Sequence, residues 1–267
     1  MNRSTWVRSA VLLTALLLPA AAGAEIRREK IEYRDGDTTL EGLVVYDTRT
    51  AGKRPGVVVV HQWKGLGDYE AKRAEMLAEL GFLAFCADIY GKGVRASNPQ
   101  DAAQLASKYK DNRPLLRSRV TAAFDQMRRH ALVDPVRTAA IGYCFGGTTV
   151  LELARSGAPA LGVVSFHGGL STPSPASKAS LKARVLALHG ADDPFVPPAE
   201  VEGFAREMRE AGADWQLVAY GGAVHSFTDW NAGNDPSRGA AYEKKADLRS
   251  WEAMRAFFRE LFAPPAP

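Results

Sequence analysis

The chain is poor in cysteine, with only Cys86 and Cys144 among its 267 residues. Two thiols cannot build a disulfide framework for a chain this large, so the hydrophobic core must carry the stability. An excess of one charge sign is also missing. The formal net charge is +4, and acidic residues are interleaved with basic ones, as in "FAREMREAGAD". An ordinary solvated surface follows, with no nucleic-acid partner. No internal repeat is present, and only "TPSPASKAS" at 172–180 is locally simple, which reads as an exposed loop. The apolar stretch from Ala10 to Leu18 is too short to span a bilayer comfortably and is interrupted by Pro19.

That stretch belongs to "MNRSTWVRSAVLLTALLLPAAAGA", residues 1–24. Arg3 and Arg8 precede the apolar part and Ala22-Gly23-Ala24 follows it, the pattern of a secretory signal cleaved after Ala24. A retained N-terminal anchor is the alternative. The expected product is an exported, periplasmic domain of residues 25–267 with no integral membrane association after cleavage. Loss of Arg3 and Arg8 takes the formal charge from +4 to +2.

Strand-like runs on either side of Asp35-Gly36-Asp37 suggest an antiparallel hairpin. "VVVVH" is continuously apolar and β-branched, as in a strand buried on both faces of a parallel sheet. A helix is expected from Asp68 to Leu80, stopped by Gly81. Strands at "FLAFCADIY", "TAAIGYC", "ALGVVSFHG", "ARVLALHG" and "WQLVAYGG" then alternate with helices at "GGTTVLELARS" and "AEVEGFAREMREAG". A final helix is expected from about Gly239 to Phe262. The pattern is α/β, with a mostly parallel, doubly wound sheet and an N-terminal antiparallel hairpin. Gly91 to Arg113 fits the alternation poorly and reads as an extended loop with a short helix around Ala102–Tyr109, capping the strand ends.

Ligands of an open parallel sheet bind at the carboxyl ends of its strands. His61, Gln62, Asp88, Cys144, His167, His189, Asp192, Asp193 and His225 all follow strands there. Gly142-Tyr143-Cys144-Phe145-Gly146 fits a nucleophile elbow with cysteine in place of serine, because small residues two before and two after relieve crowding at a sharp strand-to-helix turn. The amino terminus of the following helix favours thiolate. Chain order then supplies an acid in "HGADDPFVP" and a histidine in "GGAVHSF". Cys144, Asp193 and His225 are the expected nucleophile, orienting acid and general base, with Asp192 as the second choice of acid. The chemistry is attack of sulfur on a carbonyl carbon, an acyl-enzyme, and hydrolysis. The expected oxyanion donors are the backbone N–H groups of Phe145 and Trp63. Trp63, Tyr90, Phe166 and Trp230 are candidate pocket aromatics. Cys86, in a strand, reads as a small packing group. His61 and His167 match no zinc spacing, and no metal is expected.

"GYCFGG", "DDPFVP", "HSF" and the "ADIYG" strand end together resemble the dienelactone hydrolase family of α/β-hydrolases over essentially residues 25–267. The resemblance implies a hydrolase of small esters or lactones with Cys144, Asp193 and His225 as its triad, Asp193 being the acid, and no metal or organic cofactor. It also places Gln62 and Trp63 at the substrate. Two departures stand out. Family members often carry a glutamate bonded to the resting thiol where this chain has Gln62, so the thiol is expected to pair with His225 instead, with a depressed pKa. The arginine that binds a substrate carboxylate shortly after "HSF" is replaced by Thr228-Asp229, whose charge disfavours an anionic dienelactone. A silent binding module and a thioester or peptide hydrolase are the other readings.

Overall fold

The computed structural model describes residues 25–263, so the expected secretory signal at 1–24 lies outside the described residues. Eight strands form one sheet: β1 (Ile26–Asp35), β2 (Thr38–Asp47), β3 (Arg54–Val60), β4 (Leu83–Ala87), β5 (Val133–Tyr143), β6 (Gly162–Phe166), β7 (Arg184–Gly190) and β8 (Trp215–Tyr220). Their spatial order is β1-β2-β4-β3-β5-β6-β7-β8. β1 pairs antiparallel with β2 and β2 with β4, while every pairing from β4 to β8 is parallel. The expected hairpin closes through Gly36-Asp37, with Gly36 at φ 56°. Such a left-handed turn residue suits the twist of a two-residue hairpin.

β3 shows why the sheet is buried on both sides. Val57, Val58, Val59 and Val60 are all fully inaccessible. The pleat sends Val58 and Val60 into one core and Val57 and Val59 into the other. The first core is covered by α2 (Pro99–Lys110), α3 (Arg113–Arg128), α4 (Phe145–Arg155) and α5 (Pro198–Glu210), through residues such as Ala106, Leu116, Val150 and Phe204. The second is covered by α1 (Asp68–Glu79) and α6 (Lys244–Leu261), through Leu77, Met254 and Phe258. Residues 57–60 of β3 therefore have no solvent face on which to place a charge, and that part of the strand is written in valine.

Three boundaries differ from the sequence expectation. The loop over Gly91–Arg113 holds a longer helix than expected, α2, which starts at Pro99 because the Asn98 side chain caps the Asp101 N–H. α3 occupies a stretch to which the sequence pattern above assigns nothing, although Leu116, Val120, Ala123, Phe124 and Met127 are buried at helical spacing. The last helix begins at Lys244 rather than near Gly239. Gly239 is left-handed at φ 78°, Ala240 bridges to His225, and the Glu243 side chain caps the Ala246 N–H. Those five residues brace the His225 loop instead of extending a helix.

The order of strands reverses at β3, since the chain goes from β3 to β4 on one side and later to β5 on the other. Loops leaving the carboxyl ends of β3 and β5 diverge there and open a crevice. Gln62 and Trp63 leave one wall of it and Cys144 leaves the other.

Candidate active site

β5 turns into α4 at Cys144, whose φ of 55° and ψ of −113° lie outside the regions that L-residues prefer. Tight packing enforces the bend. A Cβ on Gly142 would fall 2.0 Å from the Gly146 carbonyl oxygen, and one on Gly146 would fall 2.2 Å from the Val60 carbonyl oxygen. Both expected small positions are therefore occupied by the only residue that fits.

His225 Nε2 lies 3.0 Å from Cys144 Sγ, and His225 Nδ1 lies 2.8 Å from Asp193 Oδ2. The other Asp193 oxygen accepts the Phe195 N–H at 2.8 Å, which fixes the carboxylate plane. Asp192 is elsewhere: its Oδ2 accepts the Gly222 N–H at 2.9 Å. The His225 main chain is held on both sides, donating to Gly239 O at 3.1 Å and accepting from Ala241 N at 3.0 Å.

Burial alone would raise the Cys144 thiol, but the charge and hydrogen bond of His225, the Phe145 N–H and the positive charge of Lys110 bring it below the ordinary thiol range. Burial opposes protonation of His225, and the Cys144 sulfur and the Asp193 carboxylate overcome it, holding the imidazole up to about 10. Both shifts favour the charged forms, thiolate on Cys144 and imidazolium on His225. Such a sulfur is a competent nucleophile near neutral pH, and the imidazolium is a ready proton donor.

Around this line, Phe145 N–H faces the sulfur, and Trp63 N–H makes no hydrogen bond with any described residue. The Trp63 carbonyl accepts the Tyr90 hydroxyl at 2.9 Å, which fixes the loop after β3. Tyr90 packs on Phe145 at 5.3 Å between ring centroids and feels the charge of Cys144, so it borders the site. Two of the expected pocket aromatics are placed otherwise. Phe166 is fully buried and stacks on Tyr143 at 4.7 Å in the second core. Trp230 covers the guanidinium of Arg73 at 4.3 Å.

Gln62 does not bond the thiol. Its Nε2 donates to Asp229 Oδ2 at 3.1 Å, and its N–H donates to Glu70 Oε1 at 3.1 Å. Glu70 also accepts the Gly67 N–H at 3.0 Å, and burial pushes its carboxyl up to about 7. The sequence reading did not single out Glu70, whose signal was its place in the first turn of α1. Three other rim residues, Asp88, His61 and His167, spend their polar atoms on neighbouring protein groups, whereas buried His189 Nδ1 has no partner among the described residues. Asp88 accepts the N–H groups of Glu41, Tyr90 and Gly91 at 3.1, 3.2 and 3.1 Å. His61 spends both ring nitrogens, one on Gln62 O at 2.6 Å and the other on the Ile89 N–H at 3.3 Å. His167 also uses both, on Cys144 N and Thr228 Oγ1. Among the described residues no group of three or more His, Cys, Asp or Glu side chains is placed to hold a metal ion. Both cysteines are free, and Cys86 is buried with its thiol donating to Glu70 O at 3.5 Å. No described helix is long and apolar enough to cross a membrane.

Comparison with known proteins agrees with the architecture. The family model described as "Dienelactone hydrolase family" matches residues 40–262. A crystal structure of a dienelactone hydrolase-like promiscuous phosphotriesterase from metagenomic libraries is 40% identical, covers 90% of this chain and all of its own, and superposes with a TM-score of 0.85. The dienelactone hydrolase structure from Anabaena variabilis, 19% identical with a TM-score of 0.60 over 86% of this chain and 98% of its own, shares the fold. A Bradyrhizobium sp protein named as a probable 2-oxo-3-(5-oxofuran-2-ylidene)propanoate lactonase is 30% identical over 74% of this chain and 84% of its own. With the elbow at Cys144 and the sheet reversal at β3, these matches establish that the chain belongs to the dienelactone hydrolase family, with its α/β-hydrolase fold.

Proposed function

We propose that the protein hydrolyses small, uncharged carboxylic esters or lactones through a Cys144-His225-Asp193 triad and a thioester acyl-enzyme. The supporting observation is the continuous line Asp193 Oδ2, His225 Nδ1, His225 Nε2, Cys144 Sγ, with spacings of 2.8 and 3.0 Å. In acylation the thiolate bonds to the carbonyl carbon. The N–H groups of Phe145 and Trp63 receive the oxyanion, the carbon–oxygen bond breaks, and His225 gives its proton to the leaving oxygen. With a lactone the freed hydroxyl stays on the acyl chain. Neutral His225 then takes a proton from water, hydroxide adds to the thioester, and collapse expels the thiolate. Asp193 keeps Nδ1 protonated throughout.

Neutral substrates are favoured because Asp229 stands beside Gln62 at the rim. Hydrolysis of p-nitrophenyl acetate by the protein and by Cys144→Ala tests the reading, together with intact-mass detection of an acyl adduct across esters and lactones. Equal rates for the two proteins would overturn it. The phosphotriesterase activity named for the 40% identical relative favours a second reaction on the same sulfur. There the thiolate would displace p-nitrophenolate from a neutral phosphotriester such as paraoxon, leaving a phosphorylated Cys144 that the same mass measurement detects. Export is likewise proposed, with cleavage after Ala24. The mass of protein recovered from the periplasm decides it, since an intact N-terminus there refutes cleavage.

A further inference from the structure

His167 lies between the two halves of the proposed catalytic pair without belonging to either. It follows β6, is fully buried, and holds φ at 40°, in the left-handed region. A side chain kept there needs surroundings that over-determine it. Nδ1 accepts the backbone N–H of Cys144 at 3.1 Å, a hydrogen also shared with Phe166 O at 3.0 Å. An acceptor at Nδ1 places the ring proton on Nε2, which donates to Thr228 Oγ1 at 2.7 Å.

The directions continue consistently from there. Thr228 Oγ1, having accepted, donates to Tyr69 Oη at 2.6 Å, and the Tyr69 hydroxyl donates to Thr228 O at 3.2 Å. Arg73 closes the set. Its Nε donates to Tyr69 Oη at 3.1 Å, and its Nη2 donates to Thr228 O at 2.9 Å and to Asp247 Oδ1 at 2.5 Å. The imidazole, the two hydroxyls and the Nε and Nη2 groups of Arg73 all have acceptors, the condition under which such a network rigidifies its surroundings. Thr228 is three residues beyond His225 on the same loop. The imidazoles of His167 and His225 meet edge to face at 5.4 Å, and Phe227 meets His167 at 5.1 Å.

We infer that His167 and Thr228 are positioning residues that fix the separation of Cys144 and His225. A hydrogen-bonded strap runs from the nucleophile's own amide to the loop that carries its base. The inference rests on the proposed roles of Cys144 and His225. The strap requires a neutral His167, since a second proton would occupy the acceptor of the Cys144 N–H. Burial, with the positive charges of His225 and Arg73, holds it neutral by pushing its pKa well below the usual imidazole range. Loosening the strap lengthens the Sγ to Nε2 contact, which lowers the thiolate fraction and therefore kcat, while surfaces that bind substrate stay in place.

The test reads thiol ionisation directly, by the rate of Cys144 alkylation with iodoacetamide against pH and without substrate. Thr228→Val, nearly isosteric, removes only the hydroxyl. Its alkylation profile should move up by about one pH unit, equivalent to about tenfold less thiolate on the acid side. Turnover of p-nitrophenyl acetate should lose kcat with KM unchanged. Thr228→Ser should restore both. His167→Phe should behave as Thr228→Val, and if it fails to fold the threonine pair carries the test alone. A folded Thr228→Val whose alkylation profile matches that of the unmodified protein would overturn the inference, as would a Thr228→Ser as impaired as the valine. Because alkylation needs no turnover, a failure here is separable from failure of the proposed reaction, which the Cys144→Ala comparison reads.

Discussion

Gln62 and Asp229 lie 167 positions apart in the chain and are joined by one 3.1 Å hydrogen bond, from Nε2 to Oδ2, that ties the loop after β3 to the loop after β8. A carboxylate is therefore held at the rim of the crevice. Asp229→Asn keeps an oxygen for Gln62 and removes the charge. For an anionic ester such as mono-p-nitrophenyl succinate, kcat/KM should rise roughly fivefold, about 1 kcal/mol of like-charge repulsion at intermediate dielectric. p-Nitrophenyl acetate should be unaffected, and the difference should shrink in high salt. Equal effects on both esters would remove Asp229 from any role in selecting substrate charge.

The Cys144 and His225 pair sets a pH window. His225, raised to about 10, favours the folded state fully below the ordinary imidazole value, and that contribution is lost as pH rises through 10. Cys144, lowered, contributes above the ordinary thiol value of about 8.5, and its contribution is lost as pH falls through its folded value. The ion pair thus persists from that lower limit up to about pH 10. Alkylation should titrate with a midpoint below 8.5, and kcat/KM should fall on the alkaline side as the imidazolium loses its proton. A thiol midpoint at or above about 8.5 contradicts the paired resting state.

Asp193 and Asp192 are neighbours with different partners. Asp193→Asn should lower kcat about 10³- to 10⁴-fold by losing the carboxylate that orients the imidazole and keeps Nδ1 protonated. Asp192→Asn should change kcat little, because its carboxylate bonds only the Gly222 N–H among the described residues. Steady-state rates of the two variants decide the assignment.

Glycines divide by surroundings. Gly146→Ala brings a Cβ to 2.2 Å from the Val60 carbonyl and should cost more than about 3 kcal/mol, or prevent folding. Gly203, within α5, meets nothing nearer than the Arg206 side-chain end at 3.8 Å. Gly203→Ala should stabilise by roughly 0.5–1 kcal/mol through helix propensity. Denaturant midpoints measure both.

Much of this site was readable in the sequence because its local rules are strict. A strand buried on both faces had to be apolar, as in Val57–Val60, and a sharp turn after β5 had to be flanked by glycine, as at Gly142 and Gly146. Those two constraints pointed to Cys144, and chain order pointed to His225 and to the pair Asp192-Asp193, with the family resemblance favouring Asp193. The choice between Asp192 and Asp193 depends on which carboxylate faces the imidazole, a tertiary fact. The same holds for Gln62, whose lack of charge was visible but whose partner Asp229 was not. Glu70 and Arg73 escaped notice, and Thr228 was noted only for standing near the missing arginine, because a buried polar residue in a helix or loop carries no periodic signature. α3 escaped differently. Its apolar spacing was legible, but Arg113 and Arg119 stand buried within it, Arg119 bonded to Thr38 Oγ1 at 2.7 Å. Residues 239–243 read as helix until the left-handed Gly239 and the bridge to His225 are seen.

Cys144 is only partly buried, and His225 biases its thiol toward the ionised form before any ester arrives. A nucleophile kept in readiness does not discriminate among electrophiles by waiting for activation, so peroxide can compete with substrate for the same lone pair. Exposure to oxidant would convert it first to the sulfenic acid, and Cys86, sealed within the second core, is not exposed to act as a resolving partner. Occupancy by substrate is then the only shield this arrangement offers, and catalytic lifetime should lengthen as the ester concentration rises.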